Sequence, residues 1–177
     1  ENINRDTLVV LEISSFQLEA FDEKKVSPHL AVITNIYPDH LNYYQNMDEY
    51  IEAKRLIGKY QTANDYLFIN KDYPTIFDPK FLQGLKAQII FYSVADLPAN
   101  FHSTLIGEHN KSNMAAALVV GKTFGIDEKI ILKAISEFKG VSFRMELIKQ
   151  WNGVKIINDT TATTPDAAIQ SIKTFPN

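Results

Sequence analysis

The sequence predicts an α/β fold: a mostly parallel sheet with flanking helices, followed by the start of a second α/β domain. Three observations carry that reading. Short apolar runs rich in β-branched residues recur at residues 8–13, 30–36, 65–70 and 87–92. Runs of that length fit strands buried on both faces of a parallel sheet. Segments with helical spacing alternate with them, as a parallel sheet requires. Beyond residue 140 the texture changes, and Asn152-Gly153 between two apolar stretches is a strong hairpin signal.

The elements follow in order. Leu8-Val9-Val10-Leu11-Glu12-Ile13 is expected to be a strand inside the sheet, and the second run leads into Tyr37-Pro38-Asp39-His40. Asn46 can cap a helix, with Glu49 three residues on as in a variant of the capping box. Tyr50, Ile51, Lys54, Ile57 and Gly58 run through that helix. Strands over 65–70 and 87–92 come next, with Pro74 and Pro79 breaking the connection between them. An Ala-rich helix runs from Lys111 to Gly125, where the glycine closes it. Asp127 caps an amphipathic helix to about Phe138. Residues 145–149 and 154–158 form the hairpin arms, a Thr-rich loop covers 159–164, and Pro165 opens a helix at the position where its missing N–H costs nothing. The domain boundary falls near residue 140, dividing the chain into 1–140 and 141–177.

Composition narrows the function classes. With 177 residues, 45% of them hydrophobic, the chain can bury a real core. A net charge of −3 argues against a nucleic-acid binder, which would carry a basic face. Without cysteine there is neither a disulfide framework nor a thiolate metal site. No apolar stretch approaches the roughly 20 residues of a membrane helix. The chain opens with Glu1 rather than Met and is expected to be a fragment, cut at both ends.

Certain residues carry chemistry. A carboxylate near the end of a buried strand is costly unless something positive meets it, so Glu12 points to a metal or a substrate at the carboxyl edge of the sheet. Asp39-His40, at the end of the second run, is expected at the same edge; the pair reads equally as a cap and a solvated His. Lys54 by itself is an ordinary surface charge. Gly107-Glu108-His109-Asn110-Lys111-Ser112-Asn113 opens a helix whose N-terminus offers free N–H groups and a positive dipole end. Asn110 and Asn113 add amides that both donate and accept, although Asn110 reads equally as a helix cap. Arg144 suits a phosphate clamp or a strand surface, and 159–164 reads as an Asx/Thr turn.

Taken together, several strings resemble the Mur ligases, ATP-dependent enzymes of peptidoglycan synthesis. They are Glu12-Ile13-Ser14-Ser15-Phe16-Gln17-Leu18-Glu19, Asn35-Ile36-Tyr37-Pro38-Asp39-His40-Leu41, Tyr50-Ile51-Glu52-Ala53-Lys54 and Gly107-Glu108-His109-Asn110-Lys111-Ser112-Asn113. Phe143-Arg144-Met145-Glu146 and Ile157-Asn158-Asp159-Thr160-Thr161-Ala162-Thr163 match in order and spacing. Within the family, the Ser14 to Glu19 string resembles most the branch that adds D-glutamate to UDP-N-acetylmuramoyl-L-alanine. The resemblance implies ATP-driven amide formation through an acyl phosphate. It implies that residues 1–140 are an ATP-binding central domain without its phosphate-loop part, and that 141–177 begin a C-terminal amino-acid-binding domain.

Carried over by motif, Glu12 and His40 would hold Mg²⁺, with Lys54 as a carbamylated lysine beside them. Lys54, His40 and Arg144 would be catalytic. Asn110, Asn113, Arg144 and Asp159 would meet ATP, and Ser14, Ser15, Gln17 and Thr163 the substrates. The implied partners are a UDP-sugar peptide precursor and an amino acid, used by a cytoplasmic monomer that neither binds nucleic acid nor inserts in a membrane. Three departures accompany the resemblance. No G-x-x-G-K-[ST] phosphate loop occurs in these residues, and the family keeps it ahead of the Glu12 run. Phe143 stands where the family usually has His, and Thr161 where the D-glutamate branch usually has Lys. The fragment alone is therefore expected to be inactive. Two other readings stay open: a Mur-type ligase with another amino-acid substrate, and a non-catalytic nucleotide-binding remnant. Ser14-Ser15-Phe16-Gln17 speaks against a folate-like acceptor.

Overall fold

Parallel strands cannot be joined by a tight turn, so each step across such a sheet needs a crossover. In the computed structural model, which describes residues 4, 7–73, 76, 79–163 and 165–175, helices supply those crossovers. Helix α1 (Ser15–Lys24) precedes strand β1 (Leu30–Ile33); α2 (Met47–Lys59) leads to β2 (Tyr66–Asn70), and the short α3 (Pro79–Leu82) leads to β3 (Gln88–Tyr92). The three strands form one parallel sheet in the order β1-β2-β3, with Val32 opposite Phe68 and Phe68 opposite Ile90. Helices α4 (Glu108–Thr123) and α5 (Glu128–Glu137) follow, then the hairpin β4 (Glu146–Trp151) and β5 (Val154–Asn158), and α6 (Pro165–Lys173). Pro74 lies outside the described residues, and Pro79 opens a helical turn.

Side-chain alternation along β2 divides the core in two. Leu67 and Ile69 join Ala31 and Ile33 against α2 on one face, with Tyr50 and Ala53 packed there. Phe68 points the other way, with Tyr92, onto Ala115 and Ala116 of α4. Leu67, Phe68 and Ile69 are all fully buried, as the central strand of a sheet covered on both faces should be. A third cluster joins Met114 and Leu118 of α4 to Ile131 and Ile135 of α5. The hairpin turns through Asn152 (φ 47°) and Gly153 (φ 81°), both left-handed, which suits a two-residue turn matched to strand twist.

The expected first strand does not form. Residues 7–14 carry neither strand nor helix, Leu8 to Leu11 are exposed, and Val10 is 95% exposed. A strand exists through its ladder, and among the described residues none pairs with this run; β1 hydrogen-bonds to β2 alone. The expectation that Glu12 ends a buried strand is corrected with it, since Glu12 is itself exposed. Smaller differences concern element ends. The ladder of β1 stops at Ile33, and α4 starts at Glu108, one turn before Lys111. Asn46 caps α2 by accepting from the Glu49 N–H at 3.0 Å, but the Glu49 carboxylate takes the Gln45 N–H at 2.6 Å, one residue away from the capping-box partner.

Candidate active site

Two groups of side chains gather the chemistry, and they are joined at the carboxyl edge of the sheet. Asn70, the last residue of β2, is fully buried. Its amide nitrogen donates to the Thr34 carbonyl at 3.2 Å and to the Ser112 hydroxyl at 2.5 Å, while its amide oxygen accepts from the Asp72 N–H. The end of β1 is thereby tied to the first turns of α4. That edge is where open α/β sheets collect ligands.

The first group lies around α2. His40 sits in the left-handed region (φ 56°); its N–H donates to the Asp39 carboxylate at 2.7 Å, and its Nε2 lies 3.5 Å from the other carboxylate oxygen. The His40 ring packs edge-on against Phe16 at 4.9 Å and against Tyr50 at 6.0 Å. One turn along α2 from Tyr50, the Lys54 ammonium lies 5.0 Å from the Tyr50 ring centroid. Burial pushes the Lys54 amine below its ordinary pKa, with Asp39 pulling the other way. The same setting drives the Tyr50 phenol up to about 12, through burial and the Asp39 charge. Lys54 has no ion pair among the described residues, so nothing holds its proton but a remote carboxylate and a ring face.

The neighbouring α1 start is occupied by its own cap. The Ser14 hydroxyl accepts from the Gln17 N–H, and the Gln17 side chain accepts from the Ser14 N–H at 2.8 Å. Ser15 is buried with an unpartnered hydroxyl. Glu12 does not join Asp39 and His40: among the described residues, no three His, Asp or Glu side chains form a cluster able to hold a metal ion. Of the residues expected to hold Mg²⁺, His40 and Lys54 share the neighbourhood of the Tyr50 ring, while Glu12 is exposed ahead of α1.

The second group lies at the start of α4. Gly107 caps the helix without a side-chain bond, at φ 98°. A Cβ there would meet the His109 ring at 2.7 Å and the Thr174 hydroxyl at 2.9 Å, so glycine is required by conformation and by space. Asn110 is inside the first turn rather than at the cap, and its amide donates to the Ile106 carbonyl at 2.8 Å. Asn113 is exposed, with no hydrogen bond to its amide among the described residues. Facing this turn are Arg144 and Asp159. Burial lowers the His109 pKa; the Asp159 charge opposes that shift and the Arg144 charge adds to it. Asp159 accepts from the Met145 N–H at 3.1 Å and from the Ser171 hydroxyl, while Thr163 is exposed.

Of the sequence-predicted residues, His40 and Lys54 come together at one place, and Arg144, Asp159 and the Asn110 turn at another. Glu12 is exposed in the stretch ahead of α1. Asp39 and Tyr50, which frame Lys54, were legible only as a neighbour of His40 and as a helix-face residue. His109 carried no assignment, although it sits in the middle of the motif that opens α4.

This arrangement defines a class: an α/β domain whose reactive edge offers a helix N-terminus, a free guanidinium and a partly desolvated amine. Residues 2–99 match the family described as Mur ligase middle domain. A UDP-N-acetylmuramoylalanine--D-glutamate ligase of Roseiflexus sp. (strain RS-1) is 34% identical over 202 residues, covering 98% of this chain and 43% of that protein. One of the same name from Listeria monocytogenes serotype 4b (strain F2365) is 35% identical over 196 residues, covering 100% and 42%. Among solved structures, MurF from Acinetobacter baumannii superposes with a TM-score of 0.71 at 19% identity, over 90% of this chain and 39% of that one. The MurF ligase from Thermotoga maritima in complex with ADP gives 0.67 at 18% identity, over 93% and 43%. At those identities the structural likeness speaks for the fold. The chain belongs to the Mur ligase family, and it spans about two fifths of the length of the relatives it matches.

Proposed function

We propose that this chain is the nucleotide-handling part of an ATP-dependent ligase of peptidoglycan precursor synthesis, which adds D-glutamate to UDP-N-acetylmuramoyl-L-alanine. The observation that carries the reading is the match of essentially the whole chain to relatives bearing that activity in their names. Residues 1–140 form the ATP-binding central portion and 141–177 begin the amino-acid-binding domain; the three buried clusters, which all lie before residue 140, support that division. No helix among the described residues is long and apolar enough to cross a membrane. A cytoplasmic monomer completes the proposal.

The chemistry follows from the side chains. An oxygen of the substrate carboxylate attacks the γ-phosphorus of ATP, ADP departs, and an acyl phosphate results. The amine of the amino acid attacks the acyl carbon and expels phosphate, forming the amide. Arg144 meets the phosphates and offsets charge on the transferring phosphoryl group, the main need of this chemistry. The free N–H groups of the α4 start and the Asn113 amide serve the nucleotide, and Asn110 and Asp159 shape that surface from beneath. Lys54 suits carbamylation: a depressed amine is neutral more often, its nitrogen attacks the carbon of CO₂, and the released proton leaves a carbamate anion in place of an ammonium. The charge reversal would move the group off the Tyr50 ring face, which attracts cations. Glu12, His40 and the Lys54 carbamate would hold Mg²⁺, which when bound would supply positive charge beside the phosphates.

Full-length protein supplied with ATP, UDP-N-acetylmuramoyl-L-alanine and D-glutamate should release ADP only when all three are present. Lys54→Ala should lower that rate on the order of 10²-fold, the scale of removing one electrostatic stabiliser, with partial recovery on adding short carboxylates. ADP release that ignores the amino acid would overturn the ligase reading. Thr161, standing where the D-glutamate branch usually has Lys, favours a second reading with another amino acid. Turnover with one other amino acid in place of D-glutamate would select it.

A further inference from the structure

Arg144 lies between two residues in a backbone conformation that side chains disfavour. Phe143 has φ 67° and Met145 has φ 50°. Left-handed backbone at bulky residues persists only where the surroundings over-determine it, and it concentrates at functional positions. Here the surroundings can be named. The Phe143 N–H donates to the Glu146 carboxylate at 2.8 Å, and the Met145 N–H donates to Asp159 at 3.1 Å. The Arg144 N–H closes a turn onto the Val141 carbonyl at 3.2 Å. The Phe143 carbonyl takes two donors from one residue: the Thr161 N–H at 3.3 Å and the Thr161 hydroxyl at 3.1 Å.

So much bracing surrounds a side chain that makes no bond itself: the Arg144 guanidinium has no hydrogen bond or ion pair among the described residues, and Arg144 is exposed. The loop faces the start of α4, where Thr174 approaches Gly107 and the Arg144 charge reaches His109. Glu146 and Asp159 are members or neighbours of the hairpin ladder, which pairs Glu146 with Asn158. Thr161 is outside the ladder and exposed, so its hydroxyl has little to contribute to the core.

We propose that Thr161 is a positioning residue for Arg144: its hydroxyl and N–H clamp the Phe143 carbonyl, hold the loop in its left-handed turn, and keep the guanidinium aimed at the nucleotide phosphates. The aim at phosphates rests on the ligase reading above. The clamp does not.

The test uses full-length protein carrying Thr161→Val, Thr161→Ser, Arg144→Ala, or Thr161→Val with Arg144→Ala. Thr161→Val should raise KM for ATP by about two- to tenfold, the worth of one hydrogen bond, with kcat and the unfolding midpoint nearly unchanged. Thr161→Ser should restore the wild-type KM. In the Arg144→Ala background, Thr161→Val should add nothing, because a residue acting through Arg144 has no effect without it. A wild-type KM in Thr161→Val, or a full additional effect in the double variant, overturns the proposal. If the wild-type protein releases no ADP with its substrates, the ligase reading fails instead, and the clamp is read from amide exchange. Faster exchange at Phe143 and Met145 in Thr161→Val supports it, and unchanged exchange overturns it.

Discussion

Two short, wholly apolar runs end in opposite environments. Leu67-Phe68-Ile69 lies at 0% exposure in the middle of the sheet, whereas Leu8-Val9-Val10-Leu11 is exposed throughout. The difference is not hydrophobicity. It is the ladder: β2 has β1 on one side and β3 on the other, and each neighbour brings a helix that covers a face. The earlier run has no strand beside it among the described residues, so its backbone has no ladder and its side chains no cover. A β-branched apolar run is a capacity to be a central strand, which partners convert into burial.

The largest effect that sharpens this comparison is truncation at the two runs. Phe68→Ala should cost about 3–5 kcal/mol in unfolding free energy, since it empties space between β1, β3 and α4. Val10→Ala should change stability by less than about 0.5 kcal/mol, as an exposed site does. Denaturant titration of both variants checks this, and a comparable loss from Val10→Ala would break the comparison by showing that run to be covered in solution. A smaller effect is expected at Asn70, which ties the sheet edge to α4. Asn70→Ala should cost about 1–3 kcal/mol, because the Thr34 carbonyl and the Ser112 hydroxyl lose a buried partner. Equal stability of that variant would mean that the edge and α4 are held together elsewhere.

The smallest effect concerns pH. The His109 pKa lies below its ordinary value of 6.5, chiefly through burial. The unfolded chain therefore binds a proton there more readily than the folded one. Stability from the neutral ring is fully present above pH 6.5 and is lost as pH falls through 6.5 toward the lower folded value. His109→Gln should flatten the fall in unfolding midpoint between about pH 7 and pH 5. An unchanged slope would remove His109 from the acid response.

Much of this was legible in the sequence because it is local. Asn46 and Asp127 announce their helices through the side-chain oxygens that accept the first free N–H groups. Asn152-Gly153 announces the hairpin because a two-residue turn needs left-handed backbone. His40, Lys54, Arg144 and Asp159 stood out through the strings they belong to, and the structure gathers them in two groups. What was not legible depended on distant partners. Asn110 reads as a cap, yet the helix starts earlier and its amide is spent on Ile106. Thr161 reads as a missing positive charge; folded, it is a double donor to a carbonyl 18 residues away in the chain.

The sequence by itself determined the class of fold, the helix starts at Asn46 and Asp127, the hairpin turn and the family, since each rests on spacing and on residues within a few positions of one another. Only the tertiary structure decided which apolar run became a central strand, that Lys54 lies over the Tyr50 ring, and that Thr161 and Asp159 bond the backbone on either side of Arg144. Burial, shifted pKa values and loop bracing are properties of neighbours brought together by folding, and no residue carries its neighbours in its own identity.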